Sequence, residues 1–518
     1  MTPAIPDLRL EPMPGAVPAW RAAVDAQGWL RACEAVAARG GRLAALWGSP
    51  AQDGAGSCVR ALLVSHEGLI CLELPVREPE GGFPDLTDIF ACAGRMQRSA
   101  RDLCGVRAVR PDGETADSRP WLRHGAWPAD VFPLRKDVPA ASRWPARPDE
   151  YGFLEVEGDG VHEIPVGPVH AGTIEPGHFR FSVVGERVLR LEERLGYKHK
   201  GIEKRFEQIP LTEAIRLAGR VSGDSTVAYA WAYAMALESI CGTQPSARAL
   251  YLRALLLERE RIANHLGDLG YLGNDGGLAF GLAQFSRLKE DFVRANARLF
   301  GHRYLMDRIV PGGVAVDVES AAIAALLDEA DRIEREVRAL RAIYDDHAGL
   351  QDRFLTCGRL APDTAARLGV VGLAARASGI AIDARAHPGH APYTELQPRV
   401  VTERAGDVAA RVAARFEELF ESLRLERRIL RRLPAGELCA PLADASEGGF
   451  GLGWVEGWRG EVIVALEAGP GGEVRRCHPH DPSWQNWPAL EYAILGNIVP
   501  DFPLINKSFN LSYAGQDL

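Results

Sequence analysis

The chain has 518 residues, 47% of them hydrophobic and 25% charged, and a net charge of -9. That composition is globular and the length allows two or three domains around large cores, while the acidic balance excludes nucleic acid as the main partner, which would leave a basic face. The longest charge-free run, Ser225 to Leu237, falls well short of the ~20 residues that span a bilayer, so membrane association has to come through partners.

Residues 1 to about 20 are proline-rich, carry no apolar leader, and read as an irregular lead-in. The alanine-rich spacing of Trp20 to Arg39, closed by Gly40-Gly41, predicts a helix. Cys58 to Val64 and Leu69 to Leu74 read as strands and Asp85 to Leu103 as a helix. A loop dense in Trp, Pro and Arg follows, ending in Phe132-Pro133-Leu134-Arg135-Lys136-Asp137. These pieces predict a small α/β domain over 1–137, and the proline-bearing, aperiodic stretch 138–150 reads as a linker.

The rest, 151–518, reads as a mainly helical domain with peripheral β-hairpins, making the whole chain α+β. His178 to Val184 and Arg187 to Glu192 alternate around Gly185-Glu186, which suits a two-residue hairpin turn. Ser246 is placed to cap a helix through Leu250, Leu256, Ile262 and Leu266. Two further apolar stripes run at helical spacing: Ile323, Leu326, Ala330, Ile333, Val337, Leu340, Tyr344, and Val408, Val412, Phe416, Leu419, Leu423, Leu430. Such stripes are core, and no chemistry is assigned to them. Pro311-Gly312-Gly313 predicts a tight loop, Glu461 to Glu467 and Glu473 to Cys477 read as strands, and Leu490 to Leu495 as a short helix.

Chemistry concentrates at Arg220-Val221-Ser222-Gly223-Asp224-Ser225, which runs into an apolar helix from Ala228 to Ile240. Two thiolates at that i, i+3 spacing would share a helix face and clamp one metal; serine hydroxyls stay protonated near neutral pH and cannot. The simpler reading makes Ser222 and Ser225 a helix cap and a small core residue, with Asp224 favouring the dipole and Arg220 its natural ion-pair partner. His199 and Glu203 stand four apart, as on one helix face. His265 and Asp268 read as buried structural partners. His478, His480 and Asp481 lie in what composition makes an exposed loop, where metal binding is the minority reading. The nine cysteines are dispersed, with no Cys-x-x-Cys. That fits reduced cytoplasmic thiols and no cluster or zinc site within the chain.

In order and spacing these landmarks resemble the superfamily of nickel–iron hydrogenase large subunits and the complex I quinone-site subunit, above all the formate-hydrogenlyase-type, membrane-bound branch. Gly167-Pro168-Val169-His170 with Glu175-Pro176-Gly177-His178-Phe179-Arg180 resembles the family's opening strand motif. His199-Lys200-Gly201-Ile202-Glu203-Lys204 matches its H-x-G-I-E-K signature. Arg261-Ile262-Ala263-Asn264-His265-Leu266, Pro311-Gly312-Gly313-Val314, Asn486-Trp487-Pro488 and Asp501-Phe502-Pro503-Leu504-Ile505 continue the likeness. The N-terminal domain resembles the neighbouring small hydrophilic complex I subunit, with Phe132 to Asp137 as its closing signature.

The departures from that family are at its metal clamps. Where the hydrogenases have R-x-C-G-x-C-x-x-x-H, this chain has Ser222, Ser225 and Tyr229; where they have D-P-C-x-x-C, it reads Asn510-Leu511-Ser512-Tyr513-Ala514-Gly515. The complex I quinone tyrosine falls at Gly223. The resemblance therefore implies a subunit of a complex I-like oxidoreductase without a nickel–iron centre, taking electrons from an iron–sulfur cluster in a partner subunit. The acceptor would be a quinone-type molecule. No metal or other cofactor is expected on this chain itself. Membrane-embedded, antiporter-like subunits would hold it on the cytoplasmic face of the inner membrane. Asp224, Tyr229, Glu203 and His178 are the candidate catalytic groups, and His170, Ser222, Ser225, Ser512 and Tyr513 the candidate substrate-binding ones. The alternative is a redox-silent scaffold or coupling subunit, favoured if the old metal pocket is packed.

Overall fold

Runs of apolar residues build a five-stranded N-terminal sheet. In this computed structural model, which describes residues 3, 5, 8–51, 56–77, 81–148 and 151–518, its order is Glu11–Met13, Ala19–Ala23, Leu69–Val76, Ser57–Val64, Arg42–Pro50. Ala19–Ala23 pairs parallel with Leu69–Val76 and the other pairs are antiparallel. The two expected strands are present. The helix expected from Trp20 begins only at Ala26, because the residues before it are taken by the sheet; Asp25 caps it, accepting from Gly28 N at 2.7 Å. The helix expected from Asp85 begins at Ala93, and Asp85 instead ties the preceding turn to Gln97 Nε2 at 2.7 Å. Described residues 138–148 form no helix or strand; Asp149 and Glu150 of the expected linker lie outside the described residues.

Beyond the linker, Val161–Val166, His178–Val184 and Arg187–Arg194 form an antiparallel sheet, with the expected turn at Gly185, φ +59°. Five long helices make the body: Thr226–Cys241, Ala247–Asp275, Ala279–Phe300, Ser320–Asp346 and Val408–Arg432. The stripes expected on the last two are buried almost without exception: Leu326, Ala330, Ile333, Val337, Leu340 and Tyr344 on one, Val408, Val412, Phe416, Leu419, Leu423 and Leu430 on the other. Each large side chain so placed contributes about 1.5–3 kcal/mol. Ser246 caps its helix as expected, accepting from Ala249 N at 3.1 Å.

Thr226–Cys241 is apolar all round, the pattern of a helix enclosed on every side. It lies against the strand Phe450–Glu456 of a second antiparallel sheet, completed by Glu461–Ala468 and Val474–His480. The approach requires glycine: a Cβ on Gly453 would sit 1.8 Å from Ala232 O, and one on Gly451 2.1 Å from Ala236 O. This sheet also meets the N-terminal one through a part-buried ion pair, Arg42 with Glu461, and a buried one, Arg60 with Glu467. The architecture is thus α+β, a small sheet unit joined to a helical body. Among the described residues no helix is long and apolar enough to cross a membrane.

The C-terminal helices differ from expectation. Ser483–Ala493 starts well before the expected Leu490 and carries Pro488 inside it. Asp481 launches this helix instead, accepting from Ser483 N at 2.9 Å. Phe502–Phe509 and Tyr513–Asp517 follow and close over the body.

Candidate functional site

A helix begins with unpaired N–H groups, and these need acceptors. At Thr226–Cys241 neither serine supplies one. Glu260, from the neighbouring long helix, accepts from Val227 N at 2.6 Å and Ala228 N at 3.2 Å. The expectation that Ser222 or Ser225 caps the helix is therefore wrong, and their hydroxyls are released for other partners. Ser222 Oγ lies 2.8 Å from Ser512 Oγ and donates to Asp224 Oδ1 at 3.0 Å. Ser512 also accepts from Gly515 N at 2.9 Å, capping the last helix. Residues 290 apart in sequence thus meet at one buried point, with Ser222, Ser225 and Ser512 all at most 5% exposed.

Asp224 forms a two-pronged ion pair with Arg459, at 2.8 and 2.7 Å. Arg220, the expected partner, turns outward to Asp307 at 2.7 Å. The reason is depth: the Arg459 side chain is 6% exposed and buried with the pocket, whereas Arg220 is 42% exposed. Burial pushes the Asp224 carboxyl up, but Arg459 outweighs it and holds the group below the usual carboxylate range. Arg459 also donates to the Asn510 carbonyl and reaches Ser225 Oγ at 3.5 Å. Trp458 Nε1 and Asn264 Nδ2 hold the Asp224 carbonyl at 2.9 and 2.8 Å.

On the other side Tyr229 donates to Asp481 Oδ2 at 2.7 Å. Burial pushes both groups up, the Asp481 carboxyl and the Tyr229 phenol, so each favours its neutral form. The Asp481 carboxyl occupies the space beside Gly515: a Cβ there would stand 2.2 Å from Asp481 Oδ2. The four clamp positions therefore surround hydroxyls, an ion pair and a carboxyl rather than a void. Three neutral hydroxyls and a hydrogen atom do not fit a thiolate-bridged nickel–iron centre, which needs soft anionic sulfur. Among the described residues no three His, Cys, Asp or Glu side chains are placed to hold a metal ion.

The remaining candidates lie in two groups apart from this cluster. Tyr513, against Trp487 with ring centroids 4.7 Å apart, has its hydroxyl 3.3 Å from His170 Nε2. His178, on the adjoining strand, packs against Phe153 and accepts from Arg180 at 3.4 Å; burial lowers its imidazole, so it stays neutral. Glu203 is deeply buried with Arg476 and His478, both at 2.7 Å. Burial would raise its carboxyl, but these partners bring it to about 2. His199 does not share its helix, which starts at Ile202; its Nδ1 meets Asp517 O at 2.7 Å. His478, His480 and Asp481 are buried, not in an exposed loop, because the strand Val474–His480 packs against the short helix Ile202–Phe206 and the N-terminal strand Arg42–Pro50, with the His478 ring stacked on Trp47. His265 and Asp268 are buried structural partners as expected, of Glu418 and Arg415. Sequence reasoning missed Arg459 and Glu260, which stand in no motif and reach the site from 235 and 33 residues away.

Comparison with known proteins places these features in a lineage. The profile of the 30 kDa subunit of respiratory-chain NADH dehydrogenase matches residues 22–143, and that of its 49 kDa subunit matches residues 275–448. Formate hydrogenlyase subunit 5 of Escherichia coli (strain K12) is 31% identical over 490 residues, covering 92% of this chain and 85% of the relative. Hydrogenase-4 component G of the same organism is 30% identical, over 84% and 76% of the two chains. The C/D subunit of NADH-quinone oxidoreductase from Phocaeicola vulgatus is 27% identical, over 78% and 80%. A subunit of the membrane-bound sulfane sulfur reductase, an archaeal respiratory membrane complex, shares the fold: TM-score 0.65 at 24% identity, over 69% of this chain and 99% of that one. The likeness to formate hydrogenlyase subunit 5 runs through nearly the whole of both chains, and this chain belongs to the complex I-related hydrogenase and NADH-quinone oxidoreductase family in which the 30 and 49 kDa subunits are fused into one polypeptide.

Proposed function

We propose that this chain is the metal-free large subunit of a complex I-related, membrane-associated oxidoreductase complex, with a fixed polar plug at the positions where the nickel–iron hydrogenases it resembles have a thiolate clamp. The observation that carries this reading is the packing of the four clamp positions. Ser222 and Ser512 bond each other, and Asp481 fills the space a residue-515 side chain would need. Electrons in the complex come from an iron–sulfur partner subunit and do not pass through a nickel–iron centre here. The chain instead holds that partner against the membrane-embedded subunits on the cytoplasmic side, with the Asp224–Arg459 pair fixing charge at the former centre and the Tyr229–Asp481 hydrogen bond filling the space beside it. Purification of the intact complex followed by metal analysis tests this: iron in stoichiometric amounts with nickel far below one atom per chain is expected, and one nickel per chain overturns it.

A second reading, quinone reduction at this subunit, is favoured by the His170–Tyr513 pair. A tyrosine hydroxyl and a histidine can donate hydrogen bonds and protons to a quinone carbonyl as two electrons arrive from the partner's cluster. Val169 beside them is 84% exposed, so a docked molecule or subunit has access. Under this reading Tyr513→Phe or His170→Ala lowers quinone reduction by the reconstituted complex by about 10²–10⁴-fold. An unchanged rate in both variants removes the pair from any mechanism.

A further inference from the structure

Among the described residues the other buried glutamates each face an arginine, as Glu258 does Arg385, Glu418 Arg376 and Glu426 Arg259. Glu260 departs from that pattern. It is 5% exposed and makes no ion pair among the described residues; its oxygens meet only the Val227 and Ala228 N–H groups. A narrow crevice leads to it, walled by Asp224, Asn264, Lys289, Arg303 and the half-exposed Tyr304. Its free volume, about 10 Å³, is room for about one water. The Asp224 carboxylate, 40% exposed, stands at the same crevice and is already claimed by Arg459, so it offers Glu260 negative charge and no compensation. Asn264 ties the two together, its Nδ2 donating to both the Asp224 and Glu260 carbonyls, at 2.8 and 2.9 Å.

We propose that this crevice is a proton-exchange site, in which Glu260 takes up a proton from solvent and releases it again beside the Asp224–Ser222–Ser512 hydrogen-bonded line. The reaction is a plain acid–base one: the carboxyl O–H breaks, the proton leaves on crevice water, and the carboxylate remains on the Val227 and Ala228 N–H groups. Those two N–H groups favour the anion, Arg261 adjoining in sequence does so weakly, and Asp224 opposes it; burial dominates and pushes Glu260 up to about 8. The site therefore changes charge near neutral pH, at the start of the helix that carries the former clamp. Lys289 and Arg303 face the crevice from its wall and Arg459 stands behind Asp224; the two guanidinium groups keep their charge across this range. The inference does not require the metal-free reading to hold, since nickel content and carboxyl titration are measured separately.

Infrared titration of the full-length chain, alone or in its complex, tests the assignment. The expected result is a protonated-carboxyl component that disappears near pH 8, is missing in Glu260→Gln, and shifts to lower pH in Asp224→Asn, where the opposing charge is gone. Transfer to heavy water should shift the band without unfolding the protein. A carboxyl titration profile that is the same in Glu260→Gln as in the parent protein, or a Glu260 component that fails to exchange in heavy water, overturns the proposal. Stability supplies a second readout. Because the folded state holds this proton and the unfolded chain, with an ordinary glutamate, does not, stability falls as pH rises from about 4.5 to about 8. Glu260→Gln removes that part of the fall, and an identical pH slope in the two proteins also overturns the assignment.

Discussion

Replacing Arg376 with leucine is expected to cost about 3–5 kcal/mol, a large share of the 5–15 kcal/mol that holds a typical fold together. The guanidinium is fully buried and joins Glu418 and Glu456, each at 2.7 Å, with Asp383 at 3.8 Å. These carboxylates come from the helix Val408–Arg432, the strand Phe450–Glu456 and the loop between them in space, so one cation sets three segments. Removing it leaves the carboxylates in a medium too poor in dielectric to solvate them. They answer by taking up protons, and the sign follows: the variant's folded state binds more protons than its unfolded state, so its deficit grows as pH rises and shrinks toward pH 4. Arg338→Leu, which breaks the exposed pair with Glu334, is the control and should cost under about 1 kcal/mol. Denaturant midpoints for the two variants at neutral and mildly acidic pH check this. Equal midpoints at neutral pH would mean that Arg376 does not organise the body's charged core.

What the sequence made legible followed from local periodicity. The two long apolar stripes, the hairpin at Gly185 and the Ser246 cap depend on neighbours within a few residues, and each is where its pattern put it. The convergence of Ser222, Ser225, Ser512 and Gly515 was also readable, because the order of motifs carried it. What stayed hidden was partner choice. Arg220 sits beside Asp224 in sequence yet pairs with Asp307, since a helix start directs successive side chains to different sides of the chain. The burial of His478 and His480 was hidden for a similar reason: composition marks the segment as polar, while the sheet places it inside, where Glu203 and Gln485 satisfy the rings. The early start of Ser483–Ala493 was hidden as well: Pro488 stands in the middle of that helix, where it forgoes one N–H···O bond without ending it. Capping by Glu260 had no local signal at all.

The second large effect is at Gly515, and it probes the plug directly. Gly515→Ala should destabilise the protein by about 1–3 kcal/mol, although glycine to alanine within a helix ordinarily stabilises by about 0.5–1 kcal/mol. The added carbon would stand 2.2 Å from Asp481 Oδ2 and 2.5 Å from its Cγ, and the carboxyl cannot swing away without leaving the Tyr229 hydroxyl and Ser483 N. Asp481→Ala alone also costs about 1–3 kcal/mol, by orphaning the buried Tyr229 hydroxyl. Combined with Tyr229→Phe, it vacates the space without that orphan. In this double background Gly515→Ala should turn neutral or mildly stabilising, a coupling of about 1–3 kcal/mol that denaturation of the four members of the cycle measures. Additive costs would show that Asp481 does not fill the position. The coupling bears on the metal as well: a cysteine at 515 meets the same carboxyl as an alanine. Returning sulfur to positions 222, 225, 512 and 515 while Asp481 stays is therefore expected to give a less stable protein without stoichiometric nickel, because the fold has closed over the place where the ion would sit.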